Sequence, residues 1–528
     1  MKNIYLFLFL ILIYFPSQGQ LIFQKIFTAP GNQNAIASMQ SASDDFYILS
    51  ETDSGQNNSK DFLLLKLDVS GNLLWSKYFG TTADDIPTDV KEMSNGKIML
   101  CGYTFLNGVN NTDILLINID TSGTVIWSKT FGGAQNDYGF KMASAIDSSV
   151  VVAGQTLSYG VNISSGYALK INSVGNIVWS LTNSSPTILN ACFKSIDNTF
   201  DGNFILTGFW QSPGYYLTPL IKVDVFGNVV AACQISGPTN YFGYDIKSIP
   251  GGDFIIVGKE VTSTSDTGSV LVMRANPLTL SITFVKNFHT ANFETANSVV
   301  VTPDANFAYS GKQASNNGFN ITEKGFLTKL NLSGNALFSK DYQPSGYNNS
   351  INSIIVTHDN NLLMTGKISP SIGFYTSIYL IKVQLSTGLS GCDDSNFVYS
   401  SSSLINGLTL SSNNNFGGVS SSVIVSDSLA NVLQNDLCTT VGLQELNFNN
   451  EVGSVYPNPS NGNFNIHFDN NLSEKTIQIF NVTGNIVYKK NKIKCSEVEF
   501  NLTTQPKGIY FLKVFDQNKI SESKIVLQ

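Results

Sequence analysis

Residues 88–93, 98–102, 114–119 and 125–129 are four short apolar segments in succession, held apart by polar clusters such as Ser94-Asn95-Gly96 and Thr121-Ser122-Gly123. Brief β-rich runs punctuated by turn residues predict an antiparallel four-stranded meander. The phrase returns at a fixed period. Trp75, Trp127 and Trp179 stand 52 residues apart, each four residues after Gly71, Gly123 or Gly175. Another apolar strand ends at Gly102, Gly154, Gly208, Gly258, Gly311 and Gly366, at intervals of 52, 54, 50, 53 and 55 residues, and 46–50 supplies an earlier member that ends in Ser50. A period of this length means a circular or stacked array.

Seven copies of four strands predict an all-β chain whose main part is a seven-bladed β-propeller with blades of about 52 residues, packed radially so that only short sheet edges remain. The phase of the two ends supports closure. The seventh copy has three strands, 351–356, 362–366 and 379–383, but only 387–392 where a fourth should lie. Residues 21–27 read like the Trp75 strand and precede the first copy, so they are expected to close the last blade, a clasp that an open solenoid does not need. The wording of 113–120, followed by Gly123 and 127–133, resembles the β-propeller repeats of secreted bacterial proteins over about residues 21–390. The three tryptophans read as core between blades rather than as a ligand platform.

At 528 residues the chain is expected to hold at least two folding units. Charged residues make up only 13%, which suits an all-β protein with polar turns. The basic residues are lysines apart from Arg274 and form no stripe, which argues against nucleic acid as a partner. Lys2, the apolar run 4–15 and the small residues Ser17 and Gly19 read as a secretory signal peptide over 1–19, cut before Gln20. That run is shorter than the roughly 20 residues a bilayer crossing needs, and no later stretch is long enough, so no transmembrane segment is expected. In an exported chain Cys392 and Cys438, which flank a Ser/Asn-rich stretch, are a candidate disulfide, with two free thiols as the alternative.

The expected organisation is a propeller over 20–390, a Ser/Asn-rich linker or extension over 391–452, and a small Ig-like β-sandwich over 453–528. Pro457 and Pro459 remove backbone donors at its entrance, while Gly484-Asn485 and Lys507-Gly508 suit tight turns. Taken in order, Tyr456-Pro457-Asn458-Pro459 with Gly462, then 479–484 ending in Gly484, then Gly508 and Tyr510, resemble the C-terminal sorting domain of the type IX secretion system. The resemblance implies Sec export through the periplasm, recognition by the type IX machinery, and a final place outside the cell or on its outer surface. Many members of that family end in basic residues, whereas this chain ends Leu527-Gln528.

No reactive constellation emerges. His289 follows a fourth-strand segment, His358 lies in a turn and His467 belongs to the C-terminal unit, so none reads as a base beside a nucleophile. Asp84-Asp85 and Asp137, at matching places in two copies, could hold calcium or form a glycosidase pair, but their repetition argues for turn chemistry. No other cofactor is expected. The stretch 209–216 breaks the repeat, and its Trp210, Tyr215 and Tyr216 are the candidate ligand-binding residues, with covering a blade edge as the plainer role. The expected function is an exported scaffold that binds a glycan or a surface protein, with no catalytic set. The alternatives are a secreted carbohydrate-active hydrolase or lyase with an acidic site in the propeller mouth, and a purely structural surface protein.

Overall fold

The structure, a computed structural model, describes residues 21–528 apart from 56–58, 106–110, 161–162, 185–186, 238, 263–267, 277–278, 291, 317–320, 372–374, 392, 405–406, 410–412, 416–418, 423–425, 442–454, 469–474, 482–485 and 517–518. The signal-peptide reading of 1–19 lies outside the described residues. The chain divides into two compact units, 1–441 and 442–528.

In the first unit each repeat folds into one antiparallel sheet. Gln33–Gln40, Phe46–Thr52, Asp61–Leu67 and Leu73–Gly80 are consecutive neighbours in the first, five further sheets follow the same order among the described residues, and a seventh has three such strands. The first strands of successive sheets pack side by side, and that of the seventh, Tyr347–Val356, packs back on Gln33–Gln40, so the sheets close a β-propeller. The cores lie between sheets: Phe62, Leu64 and Phe79 of the first meet Leu100, Leu115 and Ile117 of the second. The clasp forms as expected, with Leu21–Thr28 paired to Ser377–Val383 and Phe23 fully buried.

Two sequence landmarks acquire physical reasons. The tryptophans pack on the next repeat's turn: Trp127 and Trp179 donate Nε1–H to the Ser173 and Val225 carbonyls at 2.9 and 3.0 Å, and a side-chain carbon on Gly227 would lie 2.8 Å from the Trp179 ring. Only a residue without Cβ lets the turn approach the ring so closely. The strand-ending glycines each face a β-bulge in the first strand of their own sheet, where the register shifts, as between Pro87 and Asp89. The bulge drives a carbonyl oxygen toward the second strand, and a carbon on Gly102, Gly154 or Gly258 would lie 2.1, 2.0 or 1.9 Å from it.

The sheets have five strands, not the expected four. The Ser/Asn-rich stretch as far as Val441 is a belt that returns round the ring in reverse order. Asp394–Asn396 pairs with the outer strand of the sixth sheet, Ser400–Leu404 with the fifth and Gly407–Thr409 with the fourth. Asn413–Asn415, Val419–Ser422 and Ser426–Leu429 follow on the third, second and first, and Leu433–Val441 ends the circuit on the clasp. Such edge strands are held through backbone hydrogen bonds, which polar side chains satisfy as well as apolar ones, so no apolar alternation marks them.

The second unit is built from two antiparallel sheets. Val455–Tyr456, Asn463–His467 and Glu497–Asn501 form one, and Ile486–Ile493, Lys475–Asn481, Gly508–Asp516 and Lys519–Leu527 the other. They share a core that includes Phe464, Ile466, Ile479, Leu512 and Ile525, with Phe464 and Phe500 stacked across a strand pair at 5.2 Å.

Candidate functional site

The seven first strands line a central channel, and their bulges decide what faces it. A bulge adds one residue to a strand and re-aims the side chains beside it. The extra residues include Phe140, Lys194 and Tyr244 in the third, fourth and fifth sheets, all half-buried where the flanking residues on the preceding side are buried. Around them an aromatic arc runs over the second to fifth sheets. Tyr103 meets Tyr138 edge-on at 5.0 Å, Tyr138 stacks with Phe140 at 6.2 Å, and Lys194 Nζ sits 3.5 Å above the Phe140 ring. On the far side Phe242 lies 6.4 Å from Tyr244, 5.7 Å from Phe209 and 4.8 Å from Tyr216.

Beyond the bulges the channel becomes charged. Lys141 follows Phe140 and lies 3.8 Å from Asp89; Asp245 follows Tyr244; Lys247 pairs with Asp197 at 3.0 Å. Asp245 accepts from the Ser195 and Ser298 hydroxyls at 2.7 and 3.1 Å and from the Val299 N–H at 2.9 Å. Burial alone would raise its pKa, but the charges of Lys141 and Lys247, with these hydrogen bonds, hold the carboxyl below its ordinary range. Lys91 lines the same cavity of about 310 Å³. The Asp89 charge favours its protonated form, yet burial and the charges of Lys247 and Lys141 prevail and push it below the ordinary lysine value.

Acids with raised pKa sit elsewhere, sealed between sheets. Asp85, Asp137 and Glu294 occupy equivalent positions at the start of first strands, all fully buried, each accepting from the backbone N–H four residues earlier, at Thr81, Gly133 and Thr290. Burial pushes Asp85 up to about 6 against the hydrogen bonds from Thr104 and Thr81, and raises Asp137 likewise. Asp84 accepts from the Lys60 N–H at 2.9 Å. These acids hold inter-sheet loops, the turn role their repetition predicts. The hairpin acids Asp201, Asp253 and Asp359 are matched by Lys222, Arg274 and Lys382 at 2.7 Å each, so Arg274 takes the place of a repeated lysine.

The aromatic stretch 209–216 is a hairpin, Phe204–Ser212 with Tyr215–Val223, not a loop. Strand alternation therefore splits its side chains. Trp210 is 4% exposed, inside the core with Phe193 and Leu217, and offers no face to a ligand. Tyr215 is exposed, and Tyr216 joins the arc. Phe209, one residue away, contributes as well; it and Tyr103 each follow the glycine of a second strand, and Tyr138 and Phe242 match each other in first strands, so repeat position is their signal in the sequence. His289 ends a strand that pairs with the belt at Ser400, and His358 Nδ1 lies 2.6 Å from Asp44 at the surface, neither beside a nucleophile.

In the second unit the motif residues tie the domain's entrance to its last strand. Asn458 donates to the Lys524 carbonyl at 2.6 Å and accepts from the Val526 N–H at 2.8 Å. The Tyr456 hydroxyl donates to Glu497 at 2.6 Å, and the Tyr510 hydroxyl to the Pro506 carbonyl at 2.5 Å. Pro457 and Pro459 flank Asn458, and Gly462 has φ +128°, where a carbon would press on Thr503 at 2.4 Å. Gly508 has no neighbour within 4 Å of such a carbon. Gly484 and Cys392 lie outside the described residues, and of Cys438 only the backbone, opposite Gln24, is described.

Residues 454–528 match the secretion system C-terminal sorting domain. This chain thus carries a type IX sorting domain, which marks it for export. No curated protein matches the chain. Among solved structures, a protein of unknown function from Dyadobacter fermentans is 14% identical, covering 56% of this chain and 93% of its own, with a TM-score of 0.35. The Penicillium chrysogenum alpha-L-arabinanase complexed with arabinobiose is 9% identical, covering 70% and 99%, with a TM-score of 0.39. The Pseudomonas aeruginosa periplasmic gluconolactonase is 11% identical, covering 58% and 99%, with a TM-score of 0.27. Likenesses this distant say nothing about chemistry.

Proposed function

We propose that this chain is an exported seven-bladed propeller that binds a glycan at the aromatic end of its channel. Its C-terminal unit, an Ig-like sandwich, would engage the type IX machinery after Sec export on a signal peptide at 1–19, leaving the protein on the outer surface or in the medium. The aromatic arc carries the binding reading. Tyr103, Tyr138, Phe140, Phe209 and Phe242 come from four neighbouring sheets and are held on strands, half-buried, the first three in one chain of ring contacts and the last two in another. Rigid rings on sheet strands offer faces for stacking at small entropic cost.

A hydrolytic reading would use the channel carboxylates, but Asp89 and Asp197 are matched by lysines and Asp245 is held ionised. Glycoside cleavage needs a carboxylic acid that keeps its proton, and the acids raised in that direction, Asp85 and Asp137, are closed away from the channel by packed sheets. Tyr138→Ala and Phe242→Ala should each weaken an oligosaccharide found by screening the intact exported protein by about tenfold, or ~1.4 kcal/mol. A glycan ligand whose affinity ignores both substitutions would overturn the proposed site.

A further inference from the structure

We propose that the glycan taken at the mouth is an acidic one, a uronic-acid oligosaccharide whose carboxylate is received by Lys91 inside the channel; this rests on the glycan-binding reading above. The charged cavity adjoins the arc, because Phe140 and Lys141, Lys194 and Ser195, and Tyr244 and Asp245 are consecutive residues at three of the bulges. A sugar stacked on the rings therefore has the cavity directly beneath it. Lys91 lies three residues beyond the bulge residue Thr88, about 10 Å of strand, within reach of a lysine side chain and one further sugar unit.

Hydrogen bonding singles out Lys91. Lys141 and Lys247 are matched by Asp89 and Asp197, and Asp245 is engaged by two serines and a backbone N–H. Among the described residues Lys91 has no hydrogen bond or ion pair, although it lines the cavity beside Ser38, Ser298 and Ser353. The Asp89 charge acts on Lys91, but the ammonium group donates no hydrogen bond there, and an arriving carboxylate would supply a charge-assisted one. Ser38 and Ser353 share one hydrogen bond at 3.2 Å, which leaves one of their two hydroxyls to donate to a remaining oxygen, while Ser298 is committed to Asp245. Lys194, above Phe140, adds a cation at the mouth itself.

The test is titration calorimetry on the full exported chain with a galacturonate oligomer, its neutral galactose counterpart and inorganic phosphate, using wild type, Lys91→Met and Lys91→Arg. The expected result is at least tenfold preference for the acidic oligomer in wild type. That preference should vanish in Lys91→Met with neutral binding unchanged, and return in part in Lys91→Arg. Equal binding of both oligomers in wild type and Lys91→Met would overturn this inference and leave the glycan reading standing. Failure of every oligosaccharide would overturn both. Phosphate binding that depends on Lys91, with no oligomer bound, would make the cavity an anion site and overturn the saccharide. Unchanged melting of Lys91→Met separates loss of binding from loss of fold.

Discussion

Asp85 shows how one buried carboxyl sets a pH dependence. A carbon placed on Gly80 would lie 2.0 Å from Asp61 Oδ1 and 3.1 Å from Asp85 Oδ2, so two fully buried carboxyls crowd one glycine. In the folded state Asp85 is raised from 3.8 to about 6. Between those values the folded chain holds a proton that the unfolded chain has released, so stability falls as pH rises through that window and stays low above it. Asp85→Asn keeps an oxygen to accept from the Thr81 N–H and removes the charge. It should stabilise the ring at pH 8 by about 2–3 kcal/mol, given ~1.4 kcal/mol per pKa unit, and by almost nothing at pH 3.5. Thermal melts across that range check this; an equal gain at both ends would refute the charge argument. The turn role of this acid was legible because it repeats at Asp137. Trp210 was not legible in the same way: its cluster of aromatics suggested a loop, and only the alternation of a strand continuing past Gly208 sends Phe209 to the mouth and Trp210 to the core.

At the scale of the strand, the bulge is the device that makes a channel site from repeated sheets. The periodic glycines were plain in the sequence, but their cause was not, since it lies in the carbonyl of a neighbouring strand. Gly258→Ala would place a carbon 1.9 Å from the Phe242 oxygen. It should destabilise by about 1–3 kcal/mol, the usual cost of overpacking, and weaken any ligand held by Phe242 and Tyr244. Urea denaturation with a binding measurement decides: full affinity retained alongside lost stability would show that the bulge does not position the arc. The first sheet carries Ser50 at this point, and nothing in the structure explains why its bulge spares a Cβ. The belt strands were invisible for the opposite reason. Backbone pairing on an outer edge asks little of side chains, so a Ser/Asn-rich stretch could be an edge strand or a linker with equal right.

The whole ring depends on both of its ends, because the seventh sheet joins Leu21–Thr28 to Ser377–Val383 on one side and to Leu433–Val441 on the other. Ending the chain at Val441 should leave melting of the propeller unchanged while holding the protein in the periplasm. Ending it at residue 432 should lower the Tm by at least about 3 °C, since each kcal/mol moves a large domain by roughly 2 °C. Normal release of the first variant would refute the export role of the C-terminal unit, and equal melting of the two would refute the stabilising role of the last belt strand. The ring and its clasp could be read from repeat phase alone; the channel chemistry could not, because Asp89, Lys91, Lys141, Asp197, Asp245 and Lys247 differ from copy to copy and meet only when the circle closes.

The reverse path of the belt also gives the molecule a mechanical order. Force applied from the C-terminal end would act first on Leu433–Val441, then on Ser426–Leu429, and then on one outer strand after another until Asp394–Asn396 on the sixth sheet. Each step is a peel at an edge, borne by a few hydrogen bonds rather than by the whole ladder at once. The belt would come away like a drawn thread until the pull reached Phe397 and Tyr399, whose rings pack on Phe326 and Phe288, so the unlacing meets its first aromatic anchor only where the belt begins.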